Sequence, residues 1–300
     1  MNYDTISGIA EKYGAKILYN ESIAEFTSFR IGGCCDVIVM PNSADCLKDL
    51  VTECRAKGIK YYILGKCTNV LISGNGLRGV VIVIDGDYSE VRRDGNALIC
   101  EAGATLTKIC SEARKESLSG LEFAYGIPGS AGGALYMNAG AYGGEMKDVV
   151  LYCDYLDEDG TVKRMYRDEM RLCYRHSAFT GTDKVILSVC FRLTEGNSDD
   201  IAELMNDTMN KRREKQPLEY PSAGSTFKRP DGYFAAKLIE DSGLKGYTVG
   251  GAQVSEKHCG FVVNKGNASY DDVIQITEDI RKRVFADSGV MLEREILIVE

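Results

Sequence analysis

The sequence predicts an α+β protein with two α/β subdomains followed by a C-terminal α+β domain. Strand and helix patterns alternate over residues 1–80, strand patterns dominate 81–196, and helix patterns dominate after a polar, glycine-containing stretch at 195–200. Because linkers are typically polar and rich in glycine, we place the start of the last domain at residue 197. The 300 residues of the chain are enough for more than one domain.

The first subdomain is predicted from a β-α-β pattern. An alternating, β-branched strand covers 36–41, and a helix over 43–58 opens on Ser43, a residue type that caps helices. Two further strands, at 60–65 and 80–85, are separated by a loop. The second subdomain is predicted to be mostly sheet. A strand over 97–104 is followed by a helix over 105–118, a hairpin over 149–166 that turns at Asp159-Gly160, and a strand over 184–193.

The last domain is predicted to contain three helices and two strands. Its first helix follows the linker and turns one apolar face inward, formed by Ile201, Leu204, Met205 and Met209. A long helix over 270–287 is capped by Ser269 and buries Val273, Ile276, Ile280 and Val284. The remaining predicted elements are a short helix at 233–242, a strand at 260–264 and a final strand at 294–300.

Composition and charge exclude several classes of protein. The chain is 44% hydrophobic and 27% charged, as globular proteins are, and its net charge of −8 argues against a nucleic-acid partner. The N-terminus lacks the pattern of a secretory signal, and the longest aliphatic run, VVIVI, is too short to span a membrane. Eleven cysteines without a C-x-x-C pattern, beside two histidines, indicate reduced thiols and no metal site. We expect a cytoplasmic monomer that does not insert into membranes.

The stretch GIPGSAGGALYMNAGAYGGE, residues 126–145, has an unusual density of glycine. Glycine permits positive φ and close approach, so this density indicates tight turns or a backbone wrapped around a ligand. Pro128, Gly132-Gly133 and 138–141 each predict a turn. Because successive inward amides form an anion-binding concavity, we predict that a diphosphate binds here.

Other glycine and serine motifs are weaker. The G-x-G-x-x-G pattern of Gly74, Gly76 and Gly79 precedes a strand instead of opening a helix, which argues against a Rossmann dinucleotide site. The turn LGKCTNVLIS, residues 64–73, is either a phosphate-binding turn or a plain connection. No G-x-S-x-G occurs, so a serine hydrolase is not favoured.

Two polar segments carry reactive side chains. YRHSAF, residues 174–179, contains Arg175, whose planar guanidinium can hold a carboxylate. KQPLEYPSAGSTFKRP, residues 215–230, places Ser225 in a cationic setting in which a hydroxyl can donate a proton, formed by Lys215, Lys228 and Arg229. Each segment by itself is equally consistent with a polar loop.

Seven segments, in this order, resemble the UDP-N-acetylenolpyruvoylglucosamine reductase family, flavoenzymes of bacterial cell-wall precursor synthesis. They are FTSFRIGG, LGKCTNVLI, GLEFAYGIPGSAGGALYMNAGAYGGE, YRHS, KQPLEYPSAGSTFKRP, GGAQVSEKHCGFVVN and LEREI. The resemblance covers nearly the whole chain. The short spacing from YRHS to KQP is similar to the family's shorter class, which lacks an extra tyrosine-bearing loop.

This resemblance implies an FAD-binding fold of the vanillyl-alcohol-oxidase type. Residues 1–80 and 81–196 would form its two subdomains. The C-terminal strand 290–300 would join the second of them, and 197–289 would bind substrate. FAD would be bound by residues of two segments: Leu64, Gly65, Lys66, Cys67, Thr68, Asn69 and Val70, and Ile127, Pro128, Gly129, Ser130, Gly133, Asn138, Gly140 and Ala141.

The resemblance also implies a reaction. NADPH would be the co-substrate that reduces FAD, and UDP-N-acetylglucosamine enolpyruvate would then be reduced to UDP-N-acetylmuramate. Ser225 would donate the proton, and Arg175 and Glu295 would be the other catalytic residues. Substrate contacts would come from Tyr174, Lys215, Arg229 and His258.

The sequence departs from the family pattern at two places and leaves two alternatives open. Lys66 and Cys67 stand where smaller residues are usual, and Arg294 stands where a proline is common. A sugar or alcohol oxidase of the same fold is one alternative, although many such oxidases attach FAD through a histidine and none precedes His176 here. A catalytically silent binding module is the other, although it would not need a proton donor.

Overall fold

The computed structural model describes residues 3–300 and divides into two compact units. Unit 1 contains residues up to 19 together with 37–66 and 79–211, and unit 2 contains 20–36, 67–78 and 212–300. The domains predicted from the sequence assign FAD binding to 1–80 and 81–196 and substrate binding to 197–289. That assignment stays a prediction.

The helices are α1 Asp4–Tyr13, α2 Ala44–Ala56, α3 Leu106–Lys115, α4 Ala131–Tyr136, α5 Met146–Val149, α6 Ser198–Lys215, α7 Ala235–Asp241 and α8 Tyr270–Ser288. The strands of the first part of the chain are β1 Lys16–Ser22, β2 Cys34–Met40, β3 Tyr61–Leu64, β4 Val70–Ile72, β5 Val80–Val83, β6 Val91–Asp94, β7 Ala97–Glu101, β8 Leu118–Ser119, β9 Gly140–Ala141 and β10 Gly144–Glu145. The later strands are β11 Val150–Leu156, β12 Val162–Tyr166, β13 Val185–Arg192, β14 Thr194–Glu195, β15 Thr248–Val249, β16 Ala252–Val254, β17 Val262–Asn264 and β18 Leu297–Val299.

A four-stranded sheet of order β1-β2-β5-β3 opens unit 1. β5 pairs in parallel with both β2 and β3, and α2 connects those two strands. The Ser43 hydroxyl accepts a hydrogen bond from the Cys46 N–H and so caps α2, whose apolar stripe is buried. The predicted β-α-β pattern is therefore confirmed.

A second, antiparallel sheet of unit 1 has the order β12-β11-β13-β7-β6. β11 and β12 form the predicted hairpin, and Gly160 takes the positive φ of 80° that its turn requires. α3 and α4 pack on this sheet, and α3 is capped by Thr105. The core of unit 1 is continuous from the first sheet to the second.

Unit 2 combines the three-stranded antiparallel sheet β15-β16-β17 with α7 and α8. Ser269 and Asp272 form a capping box at the start of α8, Gly289 ends it at φ 72°, and all four predicted inward residues are fully buried. The final strand is confirmed as β18, which pairs in parallel with β4.

Several elements differ from the sequence prediction. α1, β1, β4, β6, β15 and β16 were not predicted, because they are short or lack a clear period. Leu204 was predicted to face inward but is 52% exposed. Ile201 and Met205 are buried, and the stripe continues through Thr208, so residue 204 falls beside it. The predicted linker is mostly ordered, since β14 ends at Glu195 and α6 begins at Ser198.

The glycines of the G-x-G-x-x-G pattern serve close backbone packing. A Cβ on Gly76 would lie 1.7 Å from the Cys34 carbonyl oxygen, and one on Gly79 would lie 2.1 Å from that of Lys60. The next element is β5, so the predicted strand after these glycines is confirmed, and no helix begins there to face a pyrophosphate. Within residues 3–300, no helix is long and apolar enough to cross a bilayer, and no group of three metal-ligating side chains is found.

Candidate active site

The glycine-rich segment of unit 1 is organised around the short helix α4. Gly132 and Gly133 lie inside this helix, so the turn predicted at this pair is wrong. A Cβ on Gly132 would lie 3.0 Å from the Ala102 Cβ, and the Gly132 N–H donates to the Ala102 carbonyl at 2.9 Å. Glycine is therefore needed here because the helix starts directly against the loop after β7.

Ser130 occupies the N-cap position of α4, but its hydroxyl does not cap the helix. The residue is 2% exposed, and among the described residues its Oγ finds no hydrogen-bond partner. A Cβ on Gly65 would lie 2.9 Å from this Oγ, and one on Gly133 would lie 3.5 Å from it. Two residues without side chains thus border a buried hydroxyl.

This arrangement fits the diphosphate of FAD. A buried hydroxyl without a partner costs about 1–3 kcal/mol, which an acceptor oxygen from a ligand would recover. The start of a helix favours anions. The neighbouring Ile127 carbonyl accepts from the Gly129 N–H at 2.9 Å, so Pro128 sits in a tight turn that leads into the helix.

Lys66, one of the departures from the family pattern, forms an ion pair. Its Nζ lies 2.9 Å from Asp85 Oδ2, just after β5, and both side chains are partly exposed. Leu64, which ends β3, is 8% exposed, and its carbonyl accepts from the Ile84 N–H. Asp85 was not predicted as a site residue, although a carboxylate after a parallel strand lies at the edge of the sheet where ligands bind.

Asn138 is 1% exposed and takes a positive φ of 42°. Its Nδ2 donates to Glu145 Oε2 at 2.6 Å and to the Cys173 carbonyl at 3.0 Å, while its Oδ1 accepts from the Lys147 N–H at 2.9 Å. The side chain is thus engaged by protein groups on both sides. Asn138 was predicted to bind FAD, and the structure gives its side chain a different task.

The two residues after Asn138 lead into a small hairpin. Gly140 and Ala141 form β9, which pairs with β10 around Tyr142-Gly143, both at positive φ. A Cβ on Gly140 would lie 2.7 Å from the Gly144 carbonyl oxygen, so glycine allows the strands to meet. The predicted turn at 138–141 is replaced by this hairpin.

Tyr174 and Arg175 form the tip of a second small hairpin in unit 1. The Cys173 and His176 N–H groups each donate to the other residue's carbonyl, at 3.2 and 3.1 Å. Arg175 takes φ 54°, and its guanidinium lies 5.1 Å from the centre of the Tyr174 ring. Its guanidinium is therefore carried at a turn, where a substrate carboxylate can approach it.

Ser177, which the sequence analysis quoted without a role, anchors this hairpin. It is fully buried, and its Oγ donates to the Tyr136 carbonyl at the end of α4, at 2.8 Å. The Phe179 N–H donates to the same Oγ at 3.3 Å. A serine hydroxyl that accepts from the N–H two residues further on is a common turn motif, and this was the signal available in the sequence.

In unit 2, the segment that carries Ser225 pairs with the segment that carries Glu295. The Glu295 N–H donates to the Thr226 carbonyl at 2.9 Å, and Phe227 and Arg294 form an antiparallel bridge. The Thr226 N–H donates to the Gly260 carbonyl on the other side, at 2.8 Å. The structure thus brings the predicted proton donor and the predicted acid onto adjacent extended segments, 70 residues apart in sequence.

The turn before β4 also reaches Glu295. Asn69 Nδ2 donates to the Glu295 carbonyl at 3.1 Å, and the Leu297 N–H donates to the Asn69 carbonyl at 2.9 Å. Cys67, the second departure, is 5% exposed at φ 50°, a conformation that glycine adopts without strain. Its carbonyl accepts from the Ser28 N–H. Thr68 lies in this turn, and Val70 begins β4, where it pairs with Leu297.

Arg294 holds the segment that carries Glu295 against α8. Its Nε donates to Thr277 Oγ1 at 2.9 Å, and it pairs with Glu278, which also binds Arg281. Burial raises the pKa of Glu278, but the hydrogen bonds and charges of the two arginines outweigh this and hold it below its usual value. Arginine here supplies a side-chain tether where the family commonly has a proline.

The predicted substrate residues of unit 2 lie at its surface. Lys215 ends α6 and is exposed, and the Arg229 guanidinium lies 4.0 Å from the centre of the Phe234 ring. His258 Nδ1 accepts from the Gly260 N–H at 3.1 Å, and burial lowers the pKa of its imidazole. His258 is therefore neutral near pH 7, with Nε2 as the donor. It lines a pocket of about 270 Å³ together with Phe234, Lys237, Lys245 and Lys257.

Comparison with known proteins defines the class. A family profile described as an FAD binding domain matches residues 35–166. A second, described as the C-terminal domain of UDP-N-acetylenolpyruvoylglucosamine reductase, matches residues 216–299. The predicted FAD-binding fold is confirmed, and the protein is an FAD-dependent oxidoreductase.

Curated relatives and a solved structure identify the family. UDP-N-acetylenolpyruvoylglucosamine reductase of Caldanaerobacter subterraneus is 48% identical over 284 residues, 95% of this chain and 94% of that protein. The enzyme of the same name from Clostridium novyi is 46% identical over 95% of this chain and 92% of its own length. The crystal structure of the Thermus caldophilus reductase superposes with a TM-score of 0.80 at 30% identity, covering 95% of this chain and 99% of that one. The chain belongs to the UDP-N-acetylenolpyruvoylglucosamine reductase family.

Proposed function

We propose that the protein catalyses the NADPH-dependent, FAD-mediated reduction of UDP-N-acetylglucosamine enolpyruvate to UDP-N-acetylmuramate, in the synthesis of peptidoglycan precursors. Relatives that are 46–48% identical carry the name of this reductase. One structural observation supports the proposal above the others: in unit 2, the Ser225 segment and the Glu295 segment are paired. A binding module without catalysis has no need for a hydroxyl donor beside a buried acid.

The chemistry divides between cofactor and side chains. Bound FAD supplies the transfer of a hydride from NADPH to the enolpyruvyl double bond. Ser225 gives a proton to the carbon next to the carboxylate, which yields the lactyl ether. The Arg175 guanidinium holds the substrate carboxylate, and Glu295 helps to stabilise the charge that develops in the transition state.

Unit 1 would hold the FAD diphosphate at the start of α4. Ser130 Oγ would donate to a phosphate oxygen, and Gly65 and Gly133 would leave the space that this oxygen needs. Cys67, Thr68, Asn69 and Val70, with the backbone of 127–129 and of Gly140 and Ala141, remain proposed cofactor contacts.

The nucleotide sugar would be held by cationic and aromatic side chains. We assign this role to Tyr174, Lys215 and Arg229, with His258 as a neutral hydrogen-bond donor. All eleven cysteines are free thiols, and all except Cys34 and Cys173 are buried, which supports a reducing, cytoplasmic location. We propose that the enzyme acts as a monomer, which light scattering after size exclusion can test.

The decisive experiment follows the flavin spectrum without oxygen. The purified protein should be yellow, lose its absorbance on addition of NADPH, and regain it when UDP-N-acetylglucosamine enolpyruvate is added. Recovery only with oxygen would favour the sugar or alcohol oxidase alternative. A colourless protein that takes up no added FAD would contradict the cofactor assignment.

A further inference from the structure

We propose that Asn138 and Ser177 are positioning residues for Arg175. Each anchors one side of the hairpin that carries Arg175 through a buried side-chain hydrogen bond. The inference rests on the proposed role of Arg175 in substrate reduction. It gives Asn138 a different role from the cofactor contact predicted from sequence.

Asn138 holds the side of the hairpin that precedes the tip. Its amide donates to the Cys173 carbonyl, two residues before Arg175, and that carbonyl also accepts from the His176 N–H. The amide oxygen of Asn138 accepts from the Lys147 N–H, and its Nδ2 also donates to Glu145. Because every polar atom of this buried side chain is engaged, its orientation is well defined.

Ser177 holds the side that follows the tip. Its hydroxyl donates to the last carbonyl of α4, that of Tyr136, which has few partners of its own at a helix end. α4 begins at the other end beside Ser130. One short helix therefore connects the proposed diphosphate site to the anchor of Arg175, and both anchors lie within unit 1.

Backbone pairing alone gives the hairpin little support. Cys173 and His176 form an isolated bridge, outside the named strands. Arg175 adopts φ 54°, a conformation that costs a residue other than glycine roughly 1 kcal/mol and persists only where the surroundings impose it. The two side-chain anchors supply this constraint. Loss of either would move the guanidinium, and a displacement of about 1 Å can cost about 100-fold in rate.

The test compares Ser177→Ala and Asn138→Gly with the parent enzyme in the two half-reactions separately. Glycine at 138 keeps the positive φ accessible. We expect flavin reduction by NADPH to change less than about twofold, while reoxidation by the enolpyruvyl substrate slows about 10- to 100-fold. Asn138→Asp, isosteric but unable to donate, should behave like Asn138→Gly because its carboxylate faces Glu145 and a carbonyl.

Matched controls and a double-mutant cycle separate positioning from general loss of structure. Ser43→Ala and Asn42→Ala remove similar side-chain hydrogen bonds elsewhere in unit 1, and should lower the melting temperature without changing either half-reaction. In an Arg175→Ala background, Ser177→Ala and Asn138→Gly should add less than about twofold. Two variants at separate sites keep the test informative if one fails to fold.

Three results would overturn the inference. Equal slowing of both half-reactions by the anchor variants would indicate a general structural role. Full additivity with Arg175→Ala would mean that the anchors do not act through Arg175. If the anchor variants are inactive only in substrate reduction but Arg175→Ala is fully active, the role proposed for Arg175 itself fails, and the anchors lose their function with it.

Discussion

The Arg175 hairpin of unit 1 and the Glu295 segment of unit 2 are supported in opposite ways. Arg175 stands on a two-residue tip whose anchors are side chains. Glu295 lies between two backbone partners, since its N–H donates to Thr226 and the next residues pair with β4. Each site also has an asparagine that donates to a backbone carbonyl, Asn138 in one and Asn69 in the other.

The difference predicts how each site responds to mutation. A hairpin held by two side chains loses much of its constraint when one is removed. A segment paired on both sides keeps most of its hydrogen bonds after any single side-chain change. Loss of an asparagine should therefore matter more at 138 than at 69, although both donate the same kind of hydrogen bond.

The largest effect is expected at Ser225 itself. Because its segment is held through the backbone of Thr226, Ser225→Ala should leave folding and FAD binding intact. Substrate reduction should slow by about 100- to 10,000-fold, the usual contribution of a positioned proton donor. Anaerobic stopped-flow absorbance measures both half-reactions, and equal rates in variant and parent would remove Ser225 from the mechanism.

Arg294→Ala is the strongest single test of the support of the Glu295 segment. It removes a partly buried tether to Thr277 and Glu278, so the free energy of unfolding should fall by about 1–2 kcal/mol in urea titrations. Substrate reduction should slow less than about tenfold, because the backbone pairing remains. Arg283→Ala, which breaks the exposed ion pair with Asp287 on α8, serves as control. It should lower the free energy of unfolding by less than about 0.5 kcal/mol.

Asn69→Ala makes the comparison of the two asparagines direct. We expect substrate reduction to slow less than about fivefold, against about 10- to 100-fold for Asn138→Gly, because the Leu297 N–H still reaches the Asn69 carbonyl. FAD affinity is measured in parallel by fluorescence titration. A larger loss of substrate reduction at 69 than at 138 would reverse the proposed order of the two sites.

The smallest effect concerns the side-chain pair of Lys66 and Asp85. Asp85→Asn frees the lysine, so FAD should bind about threefold more tightly at low salt, and the gain should disappear in 1 M salt. Asp87→Asn changes the net charge equally and is exposed, so it is the matched control. Equal tightening in both variants would show that general charge, and not the release of Lys66, is responsible.

Prediction from sequence succeeded where local patterns are strong. The β-α-β start, the hairpin at Asp159-Gly160 and the caps of α8 follow from periodicity and capping residues. It failed at Gly132-Gly133, where a density of glycine suggested a turn and contact with Ala102 instead produced a helix. It also failed at Leu204, where a wide apolar face was expected and only a narrow stripe is buried.

Some of the predicted site residues lie together in the structure, whereas their roles stay predictions. Gly65, Gly133 and Ser130 were assigned to one ligand, and the structure places them around one buried hydroxyl. Asn138 was assigned to the same ligand from the resemblance to the family, but its side chain donates to the carbonyl of Cys173 in the Arg175 hairpin. No local pattern distinguishes an amide that meets a ligand from one that meets a carbonyl.

The sequence by itself determined the long periodic elements, the family and the chemical types of the site residues, because these depend on short patterns and on motifs in a fixed order. The tertiary structure alone decided which residues support which. Asn69 lies 226 positions before the Glu295 carbonyl that it holds, and Asn138 lies 35 positions before that of Cys173. Such pairings depend on how sheets and helices pack, and a local pattern carries no information about that distance.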